Sequence, residues 1–164
     1  MSTYYIAHRG SRVFGGVENT KEAFLGGVKA KAYGLECDIR ITKDGYIVIY
    51  HDPTLERLTK EDNIYHNVSV NDLTLEQVQT INLFQTYNDH EYTGHICSFD
   101  EYLTICKENN IVPVIEFKWT NGIRSDNKDK SIFDYSNIDM VMNKIKEYLK
   151  DKIFLKYCYN LVIF

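Results

Sequence analysis

The sequence predicts an α/β fold built around a mostly parallel sheet. Short apolar runs alternate along the chain with stretches that have the apolar spacing of helices, and ionisable residues follow the ends of the apolar runs. The composition is that of a globular chain, because 44% of the 164 residues are hydrophobic, 26% are charged and only two are proline. A single domain of this size can bury a hydrophobic core.

The charge and cysteine content exclude several classes of protein. A net charge of −4 gives no broad basic field, so nucleic acid is disfavoured as a partner. The four cysteines, Cys37, Cys97, Cys106 and Cys158, form no CxxC pair, and we expect buried, reduced thiols. No segment has the apolar run of a signal peptide or of a transmembrane segment. We therefore expect a soluble, cytoplasmic protein.

The first part of the chain predicts a strand, a helix and a second strand. Residues 4–7 form an apolar run that predicts a buried strand ending before His8. Asn19, followed three residues later by Glu22, predicts a capping box at the start of a helix. Residues 35–41 alternate apolar residues with three ionisable ones, which therefore share one face of a strand. The ionisable residues are Glu36, Asp38 and Arg40.

A β-hairpin is predicted directly after this second strand. Asp44-Gly45 is typical of a two-residue type I′ turn, which requires positive φ at both positions. With this pair at the centre of the turn, Asp38 would face His51 on the returning strand. The predicted register therefore places His51 beside the acidic residues.

The stretch that follows the hairpin has an irregular, polar pattern. We interpret residues 52–97 as a small insertion within a single domain, 1–164, and not as a separate domain. One short helix is predicted inside it, over residues 75–83, with a cap formed by Thr74 and Gln77.

Regular structure is predicted again in the last part of the chain. Ser98 and Glu101 form a capping box that predicts a helix, and residues 111–117 predict an apolar strand. A further helix is expected after Ser136, and residues 160–164 predict a fourth strand.

Side chains able to carry chemistry lie at or near the C-terminal ends of the predicted parallel strands, or on the hairpin that returns to one, and sites collect there in such folds. Three carboxylates suit a hard divalent cation, Ca²⁺ or Mg²⁺. Two cationic side chains could hold an anionic phosphate, and two histidines could take a proton from an attacking hydroxyl and protonate a leaving oxygen. These residue types point to metal-assisted phosphodiester cleavage. The carboxylates are Glu36, Asp38 and Glu116, the cations Arg9 and Lys118, and the histidines His8 and His51.

Five short motifs occur in order between residues 6 and 118. Together they resemble the ordered motifs of the glycerophosphodiester phosphodiesterase family. They are His8-Arg9-Gly10, Glu18-Asn19-Thr20, Glu36-x-Asp38, residues 42–45 leading to His51-Asp52-Pro53-Thr54-Leu55, and Glu116-x-Lys118.

The resemblance implies a TIM (β/α)₈ barrel, of which this chain would hold about the first four β/α units plus the small insertion. It also implies hydrolysis of glycerophosphodiesters to glycerol 3-phosphate and an alcohol, with a divalent metal, Ca²⁺ or Mg²⁺. A neighbouring hydroxyl of the substrate itself would attack first and give a cyclic phosphate. By analogy, His8 and His51 are the acid/base pair, Glu36, Asp38 and Glu116 bind the metal, and Arg9 and Lys118 contact phosphate.

The sequence departs from the family pattern in two places. Val17 stands where the family usually has a proline, which would loosen the loop without removing a catalytic group. The chain also ends at the expected fourth strand, whereas a complete barrel usually takes roughly 250 residues. We therefore expect association through the open barrel edge, as a homodimer or with a missing C-terminal segment. The alternative is a catalytically inactive truncated remnant or interaction fragment of the same family.

Overall fold

The computed structural model describes residues 4–118 and 138–149. It confirms the alternation of strands and helices over these residues. Short 3-10 turns lie in the connections, at Arg12–Phe14, Glu56–Leu58 and Val70–Asp72. The strands are β1 (Ile6–Ala7), β2 (Gly34–Ile41), β3 (Ile47–Ile49), β4 (Asn82–Tyr87), β5 (His90–His95), β6 (Cys97–Ser98) and β7 (Val112–Phe117), and the helices are α1 (Lys21–Lys29), α2 (Leu75–Gln79), α3 (Phe99–Glu108) and α4 (Ile138–Leu149).

The main sheet is organised around β2. Strand β7 pairs with β2 in parallel along one edge, and β1 pairs with the start of β2 in parallel along the other. Further along that second edge, β3 pairs with β2 in antiparallel fashion, and β6 pairs with β3. In the β2–β7 register, Asp38 pairs with Glu116. The parallel pairing therefore brings two of the predicted carboxylates side by side.

Strand β2 is buried on both of its faces. Leu35, Cys37 and Ile39 belong to a core that also contains apolar residues of α1, α3 and α4. On the opposite face, the ionisable side chains of Glu36 and Asp38 are buried too. Because buried charged groups require partners, the contacts of this polar face determine what the site can do.

The hairpin between β2 and β3 differs from the predicted one by one residue. Thr42 pairs with Tyr46 through a backbone hydrogen bond of 2.8 Å, so three residues form the loop. The Thr42 hydroxyl accepts the Tyr46 N–H at 2.9 Å and donates to Asp44 at 2.7 Å, while Gly45 takes a φ of +87°. This loop is a three-residue turn with a left-handed glycine. The two-residue turn was therefore the wrong prediction, and Asp38 faces Tyr50 instead of His51.

Two details of the first part of the chain also differ from prediction. Thr20, not Asn19, caps α1, because the Thr20 hydroxyl accepts the N–H of Ala23. The predicted buried strand over residues 4–7 is a short strand of which only Ala7 is buried. Within the described residues, β1 pairs with β2 alone, and the side chains of Tyr4, Tyr5 and Ile6 are exposed.

The stretch over residues 52–97 contains more regular structure than its polar pattern predicts. The capping box of Thr74 and Gln77 is confirmed, but helix α2 ends at Gln79. Strands β4 and β5 then form a separate antiparallel hairpin, which was not predicted. A second hydrophobic core lies here, with Tyr50 and Leu55 among its buried members. This core fixes the stretch against the end of β3.

The elements after residue 97 agree better with those predicted from the sequence. Ser98 and Glu101 form the predicted capping box at the start of α3. Cys37, Cys97 and Cys106 are buried free thiols, as expected. Trp119, Ser136, Cys158 and the strand predicted over residues 160–164 lie outside the described residues. In the described part of the chain, no helix has the length and apolar character needed to cross a membrane.

Candidate active site

Three carboxylates converge where the polar face of β2 meets the C-terminal end of the parallel strand β7. Oxygen atoms of Glu36, Asp38 and Glu116 all lie within 4.8 Å of one another. The Asp38 side chain is fully buried, that of Glu36 is 12% exposed and that of Glu116 is 34% exposed. The strand register explains the cluster, since residues two apart on β2 share a face and Glu116 pairs with Asp38.

The electrostatics of this cluster suit a cation. Burial and the neighbouring Asp38 charge raise the pKa of Glu36 to about 7, although the backbone N–H of Arg9 partly offsets this effect. The Oε1 atom of Glu36 is buried and has no hydrogen-bond partner among the described residues. Carboxylate oxygens are hard ligands of the type that Ca²⁺ and Mg²⁺ prefer. These donors therefore fit a divalent cation of that class.

The loop after β1 places a cation beside the same carboxylates. Arg9 donates its backbone N–H to Glu36 at 2.8 Å, and its Nε lies 3.1 Å from Oδ2 of Asp38. Arg9 takes a left-handed φ of +55° and Gly10 one of +81°. A Cβ at Gly10 would lie 2.5 Å from the carbonyl carbon of Ala23, so only glycine fits here. This tight turn aims Arg9 into the site.

His8 lies at the rim of the cluster. Its Nε2 is 3.8 Å from Oε2 of Glu36, and its side chain is 69% exposed. His8 is therefore accessible to a ligand from solvent and lies next to Glu36, one of the three carboxylates.

Lys118 is the second predicted cation and lies directly after β7. Its Nζ is 3.2 Å from Oδ1 of Asp38 and also contacts Glu116. The backbone N–H of Lys118 donates to Ile39 at 3.0 Å, which extends the β2–β7 pairing to this residue. Lys118 thus supplies positive charge to two of the three carboxylates.

His51 is held from two sides. Its Nδ1 lies 2.6 Å from Oδ1 of Asp52, and its carbonyl oxygen accepts a hydrogen bond of 2.7 Å from the Arg40 guanidinium. Arg40 is itself buried on the polar face of β2. The backbone N–H of Tyr50 donates to the Asp38 carbonyl at 2.9 Å, which fixes His51 near the end of β2.

Glu18 connects the loop after β1 with the loop that carries His51. Arg9 Nη1 lies 3.0 Å from its Oε1, and Arg57 Nη2 lies 2.6 Å from the same atom. Gln85 donates to Oε2 at 2.8 Å. Burial alone would raise the pKa of Glu18, but the hydrogen bonds from Arg57 and Gln85 and the charges of Arg57 and Arg9 lower it to about 2. Glu18 is therefore a buried carboxylate anchored by two arginines.

Six of the seven predicted site residues are connected by direct contacts in the structure. They are His8, Arg9, Glu36, Asp38, Glu116 and Lys118. The seventh, His51, is connected to them through Asp52, Arg57 and Glu18. Sequence reasoning noted Glu18 and Asp52 within motifs but assigned them no contacts. Arg57 and Gln85 were missed, because neither belongs to a periodic pattern and each meets Glu18 across a long stretch of chain.

Comparison with known proteins shows the family. The model of the Glycerophosphoryl diester phosphodiesterase family matches residues 8–158 of this chain, which is most of its length. The chain belongs to the glycerophosphodiester phosphodiesterase family. A glycerophosphodiester phosphodiesterase of Caldanaerobacter subterraneus subsp. tengcongensis is 30% identical over 118 residues, which cover 72% of this chain and 46% of that protein.

Two solved structures share the fold of this chain. A glycerophosphodiester phosphodiesterase from Agrobacterium tumefaciens superimposes with a TM-score of 0.61 at 25% identity, over 72% of this chain and 48% of that one. A phosphodiesterase from Oleispira antarctica, solved with the product sn-glycerol-3-phosphate, superimposes with a TM-score of 0.58 at 23% identity, over 71% of this chain and 44% of that one. Glycerophosphodiester phosphodiesterases have a TIM-barrel fold, and the main sheet described above is a curled part of such a barrel.

This family member spans less than half the length of the first curated relatives it matches, 46% of one, 35% of a second and 32% of a third. Its match to the family nevertheless includes every residue of the site described above.

Proposed function

We propose that this chain carries the catalytic residues of a metal-dependent glycerophosphodiester phosphodiesterase, which hydrolyses its substrate to glycerol 3-phosphate and an alcohol. The observation that carries the proposal is the cluster of Glu36, Asp38 and Glu116 oxygens within 4.8 Å. This cluster is flanked by His8 and by two cationic side chains, and it lies in a chain of this family.

In the proposed site, Glu36, Asp38 and Glu116 hold a divalent cation, Ca²⁺ or Mg²⁺. When bound, such a cation withdraws charge from a phosphoryl oxygen and makes phosphorus more electrophilic. Arg9 and Lys118 are near enough to the carboxylates to contact the phosphate as well. Their positive charge offsets the negative charge that builds on its oxygens.

The two histidines carry the protons in the proposed reaction. One takes the proton of the substrate hydroxyl next to the phosphoester, whose oxygen attacks phosphorus and gives a cyclic phosphate. The other protonates the departing alkoxide, which leaves as the alcohol. Water then opens the cyclic phosphate to glycerol 3-phosphate, with the two histidines exchanging roles. The exposed Nε2 of His8 fits a group that meets the substrate directly.

Four further proposals rest on the sequence. We propose that the chain forms about the first four β/α units of the barrel, and that it is a single domain with an insertion over residues 52–97. We also propose that it associates as a homodimer through the barrel edge and that it is cytoplasmic. The alternative is a catalytically inactive truncated remnant, able at most to bind metal and phosphate weakly, or an interaction fragment of the same family.

Hydrolysis of glycerophosphocholine by the purified chain in the presence of Ca²⁺ or Mg²⁺ tests the proposal. Loss of a general acid or base costs about 10²- to 10⁴-fold in rate, and we expect such a loss for His8→Ala and for His51→Ala. His90→Ala is the matched control, because His90 is an exposed histidine of β5. A folded, monodisperse sample without turnover at any metal concentration would favour the inactive alternative.

A further inference from the structure

We propose that Glu18, Arg57 and Asp52 form a positioning relay, named here the Glu18 relay, which orients His51 and couples it to the Arg9 loop. The inference rests on the proposed function for its kinetic consequences. None of these three residues has a role in the proposed chemistry itself, so each would act through His51 or Arg9.

The first step of the relay is the contact between Asp52 and His51. The 2.6 Å distance between Oδ1 and Nδ1 is that of a hydrogen bond between a carboxylate and an imidazole N–H. Burial alone would raise the pKa of Asp52, but hydrogen bonds from Arg57 and His51 lower it, so the carboxylate stays ionised and acts as an acceptor. A neutral His51 then carries its proton on Nδ1, and its Nε2 lone pair is free to accept a proton.

The second step is the bridge that Arg57 makes. Its Nε donates to Oδ2 of Asp52, while Nη2 and Nη1 donate to the two Glu18 oxygens at 2.6 and 3.2 Å. A planar guanidinium can hold two carboxylates at once with fixed geometry, whereas a lysine ammonium is a single point of charge. Arg57 therefore fixes the orientation of the Asp52 carboxylate and not only its charge.

The third step joins the two halves of the site at Glu18. The same Oε1 atom accepts from Arg57 and from Arg9 Nη1, and Arg9 also contacts Asp38 through Nε. Gln85 of β4 closes the arrangement by donating to Oε2 and accepting the Glu18 backbone N–H at 3.0 Å. Because Glu18 is buried, its position is set by these contacts and not by solvent. A change at Glu18 therefore reaches both His51 and Arg9.

The relay predicts a separation of kinetic effects. Asp52→Asn keeps the side-chain shape but removes the charge. We expect kcat for glycerophosphocholine to fall by about 10²-fold, because a residue that orients a catalytic group contributes about this much to the rate. KM should change by less than about twofold. Glu18→Gln should lower kcat and raise KM together, because Arg9 also loses its partner. Asp62→Asn is the matched control on an exposed aspartate of the same stretch and should change neither constant.

A spectroscopic measurement tests the relay independently of turnover. In ¹⁵N-histidine spectra of the full chain at pH 8, we expect neutral His51 to carry its proton on Nδ1 in the wild type and on Nε2 in Asp52→Asn. The His51 signals are assigned by their loss in His51→Gln. If the wild type shows this tautomer but hydrolyses nothing, the proposed function fails and the relay stands.

Two results would overturn the relay. One is a wild-type His51 protonated on Nε2. The other is an Asp52→Asn protein with both its kcat and its His51 tautomer unchanged. Should Asp52→Asn fail to fold, Arg57→Lys takes its place, since an ammonium lacks the planar fork that fixes the orientation of both carboxylates. We expect it to lower kcat by about tenfold at unchanged KM, and wild-type kinetics in this variant would equally contradict the relay.

Discussion

The side-chain amide of Asn19 donates a 2.7 Å hydrogen bond to Oδ2 of Asp38, and both residues are buried. Asn19 adopts a left-handed φ of +60°, which asparagine tolerates better than most residues. The Asn19 side chain is therefore bound to the carboxylate cluster through Asp38, and Thr20 caps α1 instead.

Asn19→Ala should lower the free energy of unfolding by more than the strain of alanine in a left-handed backbone conformation accounts for. Alanine at a left-handed position costs about 1 kcal/mol, and loss of one hydrogen bond to the buried Asp38 carboxylate, which keeps its contact with Arg9, adds about 1 to 2 kcal/mol. Asn88→Ala is a matched control, because Asn88 has a φ of +49° in an exposed turn. Urea denaturation measures both variants, and equal destabilisation would show that the Asp38 contact contributes nothing.

Glu18 should make stability depend on pH in the acid range. Its pKa is about 2 in the folded protein against an ordinary value of 4.5. Between these values the unfolded chain binds more protons than the native one, so this contribution is present above pH 4.5 and is lost as pH falls toward 2. At about 1.4 kcal/mol per pKa unit, this difference corresponds to at most about 3 kcal/mol at neutral pH, and solvent screening of the partly exposed Arg57 side chain reduces it.

The comparison of wild type with Glu18→Gln isolates this effect. We expect the difference in their free energies of unfolding to be greatest at pH 6 to 7 and to shrink steadily as the pH is lowered through the acid range. Glu61→Gln, at an exposed position, should show no such trend. A difference between wild type and Glu18→Gln that is independent of pH would contradict the assignment of two arginine partners to Glu18.

The Tyr102 hydroxyl should hold β2 and β7 in the register on which the site depends. It donates to the Leu35 carbonyl at 2.6 Å and accepts the Val114 N–H at 3.0 Å. Val112 and Lys118 donate their N–H groups to the carbonyls of Tyr33 and Ile39, so in the same parallel ladder the Val114 N–H faces Leu35, and the Tyr102 hydroxyl bridges these two groups. Tyr102→Phe leaves buried backbone groups unpaired, and we expect it to lower stability by about 2 kcal/mol.

Thermal or urea denaturation of Tyr102→Phe measures this cost. Tyr46→Phe removes the same atom from a side chain that is 54% exposed and should change stability little. Similar values for the two variants would mean that water or other groups satisfy Leu35 and Val114 equally well.

The sequence could predict the elements and the residues of the site better than their exact contacts. Capping boxes at Thr74 and Ser98 involve residues three apart, so local spacing identifies them. The hairpin register failed because the Thr42 side chain selects a three-residue loop, and a shift by one residue exchanges the partner of Asp38. Arg57 and Gln85 meet Glu18 across 39 and 67 residues, a distance over which no local pattern carries information.

A divalent cation held by Glu36, Asp38 and Glu116 is the centre of the proposed reaction, and calorimetric titration of the chain with Ca²⁺ and with Mg²⁺ measures its binding directly. We expect one cation per chain, with affinity reduced at least about tenfold in Asp38→Asn. Asp139→Asn should bind as the wild type does, because Asp139 is an exposed residue of α4. The absence of saturable binding in the folded wild type, or equal binding by Asp38→Asn, would contradict a metal-dependent site.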